Sequence, residues 1–183
     1  MTPEPRLRTV GTNDLSPAEL GAIRSLLDVA FGTGEEAFGD DDWDHALGGR
    51  HFVLELDGEI ISHASVVERS LEIGGRPYRT GYVEAVATAP ERQGRGHGTV
   101  VMRAASEHIR ESFELGALGT GAHGFYARLG WQTWLGPAYV RSGTGLTRTP
   151  DDEGYLLVLR TPSSPPFELT QPISCEWRRG DVW

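Results

Sequence analysis

A glycine-dense run is the first feature of this sequence that could support chemistry. The run Gln93-Gly94-Arg95-Gly96-His97-Gly98 separates a strand-like segment from a helical pattern. Backbone N–H groups at a helix start have no intrahelical partner, and glycines let an anion approach them closely. The spacing matches neither the Walker pattern, which requires a lysine, nor the dinucleotide fingerprint. The run therefore indicates an anion site to which Arg95 adds a cation, with a structural glycine turn as the alternative.

The charge balance restricts the kind of partner. The 183 residues carry 26 Asp and Glu against 17 basic residues, all of them Arg, for a formal charge of −9. Such a domain repels phosphate backbones, so we expect no nucleic acid partner. The same field attracts a polycation, with a solubility adaptation as the alternative.

Length and composition indicate one globular domain, residues 1–183. No stretch approaches the roughly 18 apolar residues of a membrane span, and the N-terminus has no apolar signal region. Cys175 is alone, and we expect it to be buried. His45, His63, His97, His108 and His123 show no metal-ligand spacing, so they are expected to be structural or surface residues. We expect a cytoplasmic protein without membrane or metal.

The elements that must position the glycine run are of mixed type. Ser16-Pro17-Ala18-Glu19 predicts a capping box and a helix that ends at Gly32, and Asp57-Gly58 predicts a hairpin turn. A short helix is predicted before Gly48-Gly49. The remaining predicted helices are Ala122–Leu129 and Thr99–Ser112, the second with an inner face of Val100, Val101, Ala104, Ala105, His108 and Ile109. The predicted strands are Leu7–Val10, His51–Leu56, Glu59–Val67, Tyr78–Thr88, Phe113–Gly119, Trp131–Leu135, Tyr155–Leu159 and Ile173–Trp177.

Several motifs resemble one enzyme family. Gln93-x-x-Gly96-x-Gly98, after a strand with Val86-Ala87-Thr88, resembles the acyl-CoA pyrophosphate loop of the GCN5-related N-acetyltransferase (GNAT) superfamily. Other runs are similar to the aminoglycoside 2′-N-acetyltransferases: Asp42-Trp43 with His45 and Leu47-Gly48-Gly49, Gly81-Tyr82-Val83-Glu84, Leu115-Gly116-Ala117-Leu118, Tyr126 with Gly130-Trp131, Arg148-Thr149-Pro150-Asp151-Asp152, and Gly180-Asp181-Val182-Trp183. They follow in order from near residue 30 to residue 183.

The resemblance implies a GNAT fold of the α/β (α+β) class. Its mixed, mostly antiparallel sheet would be splayed around acetyl-CoA, with helices on both faces. Backbone groups of Val86, Ala87 and Thr88 would pair with the pantetheine arm, and those of Gln93, Gly94, Arg95, Gly96, His97 and Gly98 would hold the pyrophosphate. A homodimer is also implied.

The resemblance assigns two catalytic residues. Glu84 would deprotonate the amine through water, since the nucleophile must be a neutral amine. Tyr126 would protonate the departing CoA thiolate. The alternatives are a solvated strand carboxylate and a core tyrosine packed with Phe125, Leu129 and Trp131.

The acceptor site would collect carboxylates, because an aminoglycoside carries several ammonium groups. The residues that the resemblance places there are Glu36, Ala37, Asp42, Glu84, Ala85, Gly119, Asp151, Asp152, Asp181 and Trp183, the last through its terminal carboxylate. Two positions depart from the family: Glu36 or Ala37 falls where an Asp is usual, and Gly119 replaces a Ser. Both departures concern the acceptor and not acetyl-CoA.

The reaction implied is direct attack of an aminoglycoside 2′-amine on acetyl-CoA in a ternary complex. An alternative acceptor is a kasugamycin-type aminoglycoside, a polyamine or an amino sugar. Another alternative is a non-catalytic protein that binds acyl-CoA or the drug.

Overall fold

A computed structural model describes residues 4–34 and 37–183. The chain divides into two compact units: the first extends to Val67 and includes Val83–Ala105, and the second comprises Glu68–Tyr82 and Ser106–Trp183. The prediction of a single domain over residues 1–183 stays a prediction.

The helices and strands of the described residues are of mixed type, as predicted. The helices are α1 (Pro17–Phe31), α2 (Asp40–Ala46), α3 (His97–Ser112) and α4 (His123–Ala127). The strands are β1 (Arg6–Gly11), β2 (Arg50–Leu56), β3 (Glu59–Ile73), β4 (Arg76–Thr88), β5 (Leu115–Gly119), β6 (Gln132–Thr133), β7 (Ala138–Ser142), β8 (Gly145–Arg148), β9 (Leu156–Arg160) and β10 (Ile173–Glu176).

In the first unit, β2 pairs antiparallel with β1 and with β3. The predicted capping box is confirmed: Ser16 Oγ accepts from Glu19 N–H, and the Glu19 carboxylate accepts from Ser16 N–H. The apolar face of α1 then packs into one cluster with β2 and the end of β4. The buried members of that cluster include Ile23, Leu26, Leu27, Val53, Ala85 and Ala87.

The second unit contains the strand order β6-β9-β5-β4-β3-β10-β7-β8. Strand β5 runs parallel to β4 over Thr80–Tyr82, and β10 runs parallel to β7. Antiparallel pairs join β5 to β9, β6 to β9, β10 to β3, and β7 to β8. The predicted mixed, mostly antiparallel sheet is confirmed, whereas the β7–β8 hairpin was not predicted.

Some predicted boundaries and faces are wrong. Helix α3 begins at His97 and not at Thr99. Its buried positions include Val101, Met102 and Ile109, whereas Val100, predicted to face inward, is 40% exposed. Val100 lies one residue outside this buried stripe, so the helix turns it towards solvent.

Among the described residues, none of the helices is long and apolar enough to cross a membrane.

Candidate active site

The glycine run takes the conformation that its composition favours. Gly94 and Gly96 have φ values of +74° and +84°, in the left-handed region where a side chain is strained. The Gly96 carbonyl accepts the hydrogen bond of Val100 N–H as α3 begins. Gln93 Nε2 donates to the Thr88 carbonyl at 3.2 Å and so ties the loop to the end of β4. The loop is exposed and lies at the N-terminal end of a 16-residue helix, as an anion site requires.

Side chains of β3 bind the carbonyls of β4. Ser65 Oγ donates to the Glu84 carbonyl at 3.2 Å, and Ser62 Oγ donates to the Ala87 carbonyl at 2.9 Å. His63 Nδ1 lies 2.8 Å from the Ala85 carbonyl. Successive carbonyls of a regular strand point to opposite sides, yet those of Glu84 and Ala85 both meet β3. Ala85 explains this, because its φ of +52° turns one peptide over.

The turned peptide determines the direction of the Val86 N–H group. A trans peptide directs its C=O and N–H to opposite sides, so Val86 N–H points away from His63. The Ala87 carbonyl again meets β3, so the Val86 carbonyl also points away from β3. Val86 thus presents a donor and an acceptor on the side of β4 opposite β3, which is the pattern an extended ligand pairs with.

Three other predicted site residues, Ala37, Asp42 and Glu84, lie in the first unit. Asp42 is in the first turn of α2, and its Oδ2 accepts from Gly39 N–H at 2.8 Å. Ala37 is exposed, and its N–H bonds to the Gly34 carbonyl. Glu36 lies outside the described residues. Glu84 is half-buried on β4.

An acidic cluster forms in the second unit. Burial raises the pKa of the Asp152 carboxyl, and the charges of Asp181 and Asp151 raise that pKa further. A hydrogen bond from the Thr149 side chain acts the other way and lowers it. Three carboxylates from two separate segments therefore interact, and a polycation would relieve their mutual repulsion.

Trp183 is held within this cluster. It is 6% exposed, and its indole Nε1 donates to Thr149 Oγ1 at 3.0 Å. Arg178 donates to the main-chain oxygens of Trp183, at 3.2 Å, and of Asp181, at 2.7 Å. A Cβ added at Gly119 would lie 3.9 Å from the main-chain carbonyl carbon of Trp183. The structure thus brings together Gly119, Asp151, Asp152, Asp181 and Trp183.

Tyr126 is a buried residue of α4. Its ring makes edge contacts with Phe125 and Trp131, at centroid distances of 4.9 and 6.3 Å. These are the contacts of the core-packing alternative. Burial raises the pKa of the Tyr126 hydroxyl to about 12, so the hydroxyl keeps its proton at neutral pH, as a general acid must.

A buried histidine pair was not predicted from the sequence. His63 was expected to be a structural or surface residue, and His51 was not singled out; both are fully buried, with His51 Nδ1 2.9 Å from His63 Nε2. The signal available was two histidines on the two strands of a predicted hairpin.

A cavity of about 420 Å³ in the second unit was also not predicted, and it contains none of the predicted site residues. Its lining includes Glu68, Arg69, Tyr78, Arg79, Glu114 and Glu176.

The glycine loop that opens α3 follows β4, the strand in which Ala85 is left-handed, so an anion-binding loop lies next to a strand with which an extended ligand can pair. The family model for the acetyltransferase (GNAT) domain matches residues 12–134, so the chain belongs to the GNAT family of acetyltransferases.

Individual relatives extend the match beyond that domain. An aminoglycoside 2′-N-acetyltransferase of Mycolicibacterium fortuitum is 42% identical over 180 residues, covering 96% of this chain and 91% of the relative. The structure of a GNAT family acetyltransferase from Brucella melitensis in complex with acetyl-CoA superposes with a TM-score of 0.63 at 20% identity, covering 93% of this chain and 94% of that one. The YhbS N-acetyltransferase of Escherichia coli in complex with CoA gives a TM-score of 0.60 at 14% identity, over 95% and 89% of the two chains. These two structures support the fold.

Proposed function

We propose that this chain transfers the acetyl group of acetyl-CoA to the 2′-amine of aminoglycosides and so inactivates them. The observation that carries the proposal is the 42% identity to an aminoglycoside 2′-N-acetyltransferase over nearly the whole of both chains. The interacting carboxylates of Asp151, Asp152 and Asp181 support a polycationic acceptor independently of that similarity.

Acetyl-CoA binding is assigned to the first unit. The pyrophosphate would bind to the amides of the loop Gln93–Gly98, where the positive φ values of Gly94 and Gly96 leave the backbone accessible. The pantetheine arm would pair with Val86. Val86 N–H would polarise the thioester carbonyl and stabilise the oxyanion that forms there. The Ala87 and Thr88 carbonyls already accept bonds from Ser62 and Gln93, so Val86 is the main pairing position.

The acceptor is assigned chiefly to the acidic cluster. Asp151, Asp152 and Asp181, with the carboxylate of Trp183, would bind ammonium groups other than the reacting amine. The reacting amine must lose a proton before it attacks, and Glu84 would accept that proton through a water molecule.

The chemical step is then a direct displacement. The neutral amine attacks the thioester carbon, and the tetrahedral intermediate expels the CoA thiolate, which takes a proton from the Tyr126 hydroxyl. The acetylated nitrogen then releases its surplus proton to water, and the tyrosinate takes a proton back from water. The enzyme forms no covalent bond to the acetyl group. A homodimer remains part of the proposal, and sedimentation of the purified chain would measure it.

Two closely matched acceptors test the proposal. Kanamycin B carries an amine at the 2′ position, and kanamycin A carries a hydroxyl there. Release of the CoA thiol from acetyl-CoA with kanamycin B alone is the expected result. Equal turnover of both would refute the 2′ assignment, and binding of acetyl-CoA without turnover of either would favour another amine acceptor or a binding protein.

A further inference from the structure

We propose that His51 and His63 are positioning residues for acetyl transfer, because together they hold the Ala85 carbonyl and thereby direct Val86 N–H towards the thioester. The proposal rests on the proposed function for the identity of the reaction. It goes beyond that function by assigning a role to two buried residues that touch neither substrate.

Four groups form one continuous hydrogen-bonded chain. Thr12 Oγ1 lies 2.8 Å from His51 Nε2, and His51 Nδ1 lies 2.9 Å from His63 Nε2. His63 Nδ1 lies 2.8 Å from the carbonyl oxygen of Ala85. Gly48 N–H donates to Thr12 Oγ1 at 2.9 Å, which continues the chain at its other end. This series of hydrogen bonds therefore links the backbone of Gly48, just before β2, to Ala85, the left-handed residue of β4.

Chemistry allows this chain one direction of donation. A carbonyl oxygen only accepts, so His63 Nδ1 carries the hydrogen and its Nε2 is left as an acceptor. His51 must then donate from Nδ1, and its Nε2 is left as an acceptor. Thr12 Oγ1 lies 3.3 Å from the Gly49 carbonyl and 2.8 Å from His51 Nε2, so its one hydrogen goes to the nearer acceptor, Nε2. Both imidazoles are neutral Nδ1–H tautomers. Every member donates once towards Ala85.

The last hydrogen bond of the chain holds the peptide group between Ala85 and Val86. The Ala85 carbonyl and Val86 N–H belong to one planar trans peptide, so a bond that holds the carbonyl also holds the N–H. Donation to the carbonyl polarises this peptide and makes Val86 N–H a stronger donor. Ala85 has a φ of +52°, an unfavourable conformation for alanine that its surroundings must maintain. The bond from His63 supplies part of that restraint.

Two amide substitutions at His63 distinguish the role of its ring Nδ1 from that of its Nε2. His63→Asn places an amide donor near the position of Nδ1 and removes the group at Nε2. His63→Gln places an amide near Nε2 and removes the donor at Nδ1. We expect kcat to fall roughly 10- to 100-fold in His63→Gln and by less than about threefold in His63→Asn, with the KM for acetyl-CoA nearly constant in both.

A core variant controls for lost stability. Leu54 lies on the face of β2 opposite to that of His51 and is 1% exposed, so Leu54→Ala weakens the same hairpin without changing a group of the hydrogen-bonded chain. We expect it to lower Tm while leaving kcat within about twofold at a temperature where all variants are folded. Equal kcat for His63→Asn and His63→Gln, or a fall in kcat that follows Tm across all three variants, would overturn the positioning role.

Nitrogen NMR of the wild-type protein gives a readout that needs no variant and no activity. Spectra of histidine-labelled protein should show hydrogen on Nδ1 of both His51 and His63, with Nε2 of both unprotonated. A hydrogen on Nε2 of His63 would overturn the proposal even if the enzyme is active. Conversely, an inactive wild type with both Nδ1–H tautomers would refute the proposed function and leave the restraint on Ala85 in place.

Discussion

The indole Nε1 of Trp183 donates to Thr149 Oγ1 at 3.0 Å, and the Thr149 side chain hydrogen-bonds the Asp152 carboxylate. A carboxylate only accepts, so the Thr149 hydroxyl donates to it. One hydroxyl therefore links two residues assigned to the acceptor. It orients Trp183 and partly offsets the rise in the pKa of Asp152 that burial causes.

Thr149→Val should weaken acceptor binding selectively. The substitution keeps the shape of the side chain and removes a hydrogen bond that is worth about 1 kcal/mol, or roughly a fivefold change in affinity. We expect the KM for the aminoglycoside to rise by about that factor and the KM for acetyl-CoA to stay constant. Thr147→Val, at an exposed position on β8, is the matched control. A parallel rise in both KM values would contradict the assignment.

Gly119→Ser should fold normally and change acceptor preference. A Cβ at Gly119 would lie 3.8 Å from Tyr82 Oη and 3.9 Å from the Trp183 carbonyl carbon, both ordinary contacts. We expect a change in stability within about 0.5 kcal/mol, as for an exposed site. The ratio of KM values for two aminoglycosides should shift more than in Gly121→Ser. An unchanged ratio would remove Gly119 from the acceptor site.

Ala85 should respond to substitution differently from Ala87, its neighbour in ordinary strand backbone. Glycine relieves the strain of a φ of +52°, so Ala85→Gly should stay within about 1 kcal/mol of the wild type. Ala85→Val should lose about 2 kcal/mol or more, because a β-branched side chain fits this region poorly. Urea unfolding measures both. If Ala85→Gly is as destabilising as Ala87→Gly, Ala85 is not strained.

The buried histidines should make the fold sensitive to acid. Burial lowers the pKa of His51 to about 4 and, with a further contribution from the His51 charge, lowers the pKa of His63 to about 3. In the unfolded chain both titrate near 6.5, so their neutral forms stabilise the fold above that pH. This stability is lost as the pH falls from 6.5 towards 3, by about 2 kcal/mol for each histidine at pH 5. Urea unfolding at several pH values should show a smaller loss in His63→Gln than in the wild type; an equal loss would contradict this account.

Tyr126→Phe tests whether Tyr126 acts as a general acid or only packs in the core. The ring contacts with Phe125 and Trp131 survive the change, so the fold should be kept. Loss of a general acid lowers kcat by about 100-fold. Tyr155→Phe, at a position 56% exposed, serves as the control. An unchanged kcat in Tyr126→Phe would assign the residue to packing alone.

The β2–β3 hairpin shows how far the sequence alone could be read. The turn Asp57-Gly58 was predicted from its residue types and is present. It pairs Leu56 with Glu59, and an unbroken register from there would set His51 opposite Ala64.

A bulge changes that outcome. Ile61 is an extra residue in β3, so the pairing shifts between Leu54 and Glu55 and His51 comes to lie opposite Ser65. A shift of one residue exchanges the two faces of a strand, and only with this shift do His51 and His63 share a face. The residue types do not mark the bulge, so the histidine chain could not be predicted.

The acidic cluster was predictable in composition and not in geometry. The motif resemblance selected Asp151, Asp152 and Asp181, which lie in two segments about thirty residues apart. A hydrogen bond between Trp183 and Thr149 joins the two segments, and that contact arises only in the fold. The β7–β8 hairpin that precedes the cluster was missed because β8 is short and exposed along its whole length, so it lacks the alternation that marks a strand.

The position of the acetyl group in the product shows which amine of the aminoglycoside reacts. An aminoglycoside with several amines, such as kanamycin B, should be converted with acetyl-CoA and the product examined by NMR. We expect one acetyl group per drug molecule, on the 2′ nitrogen. An acetyl group on any other nitrogen would contradict it.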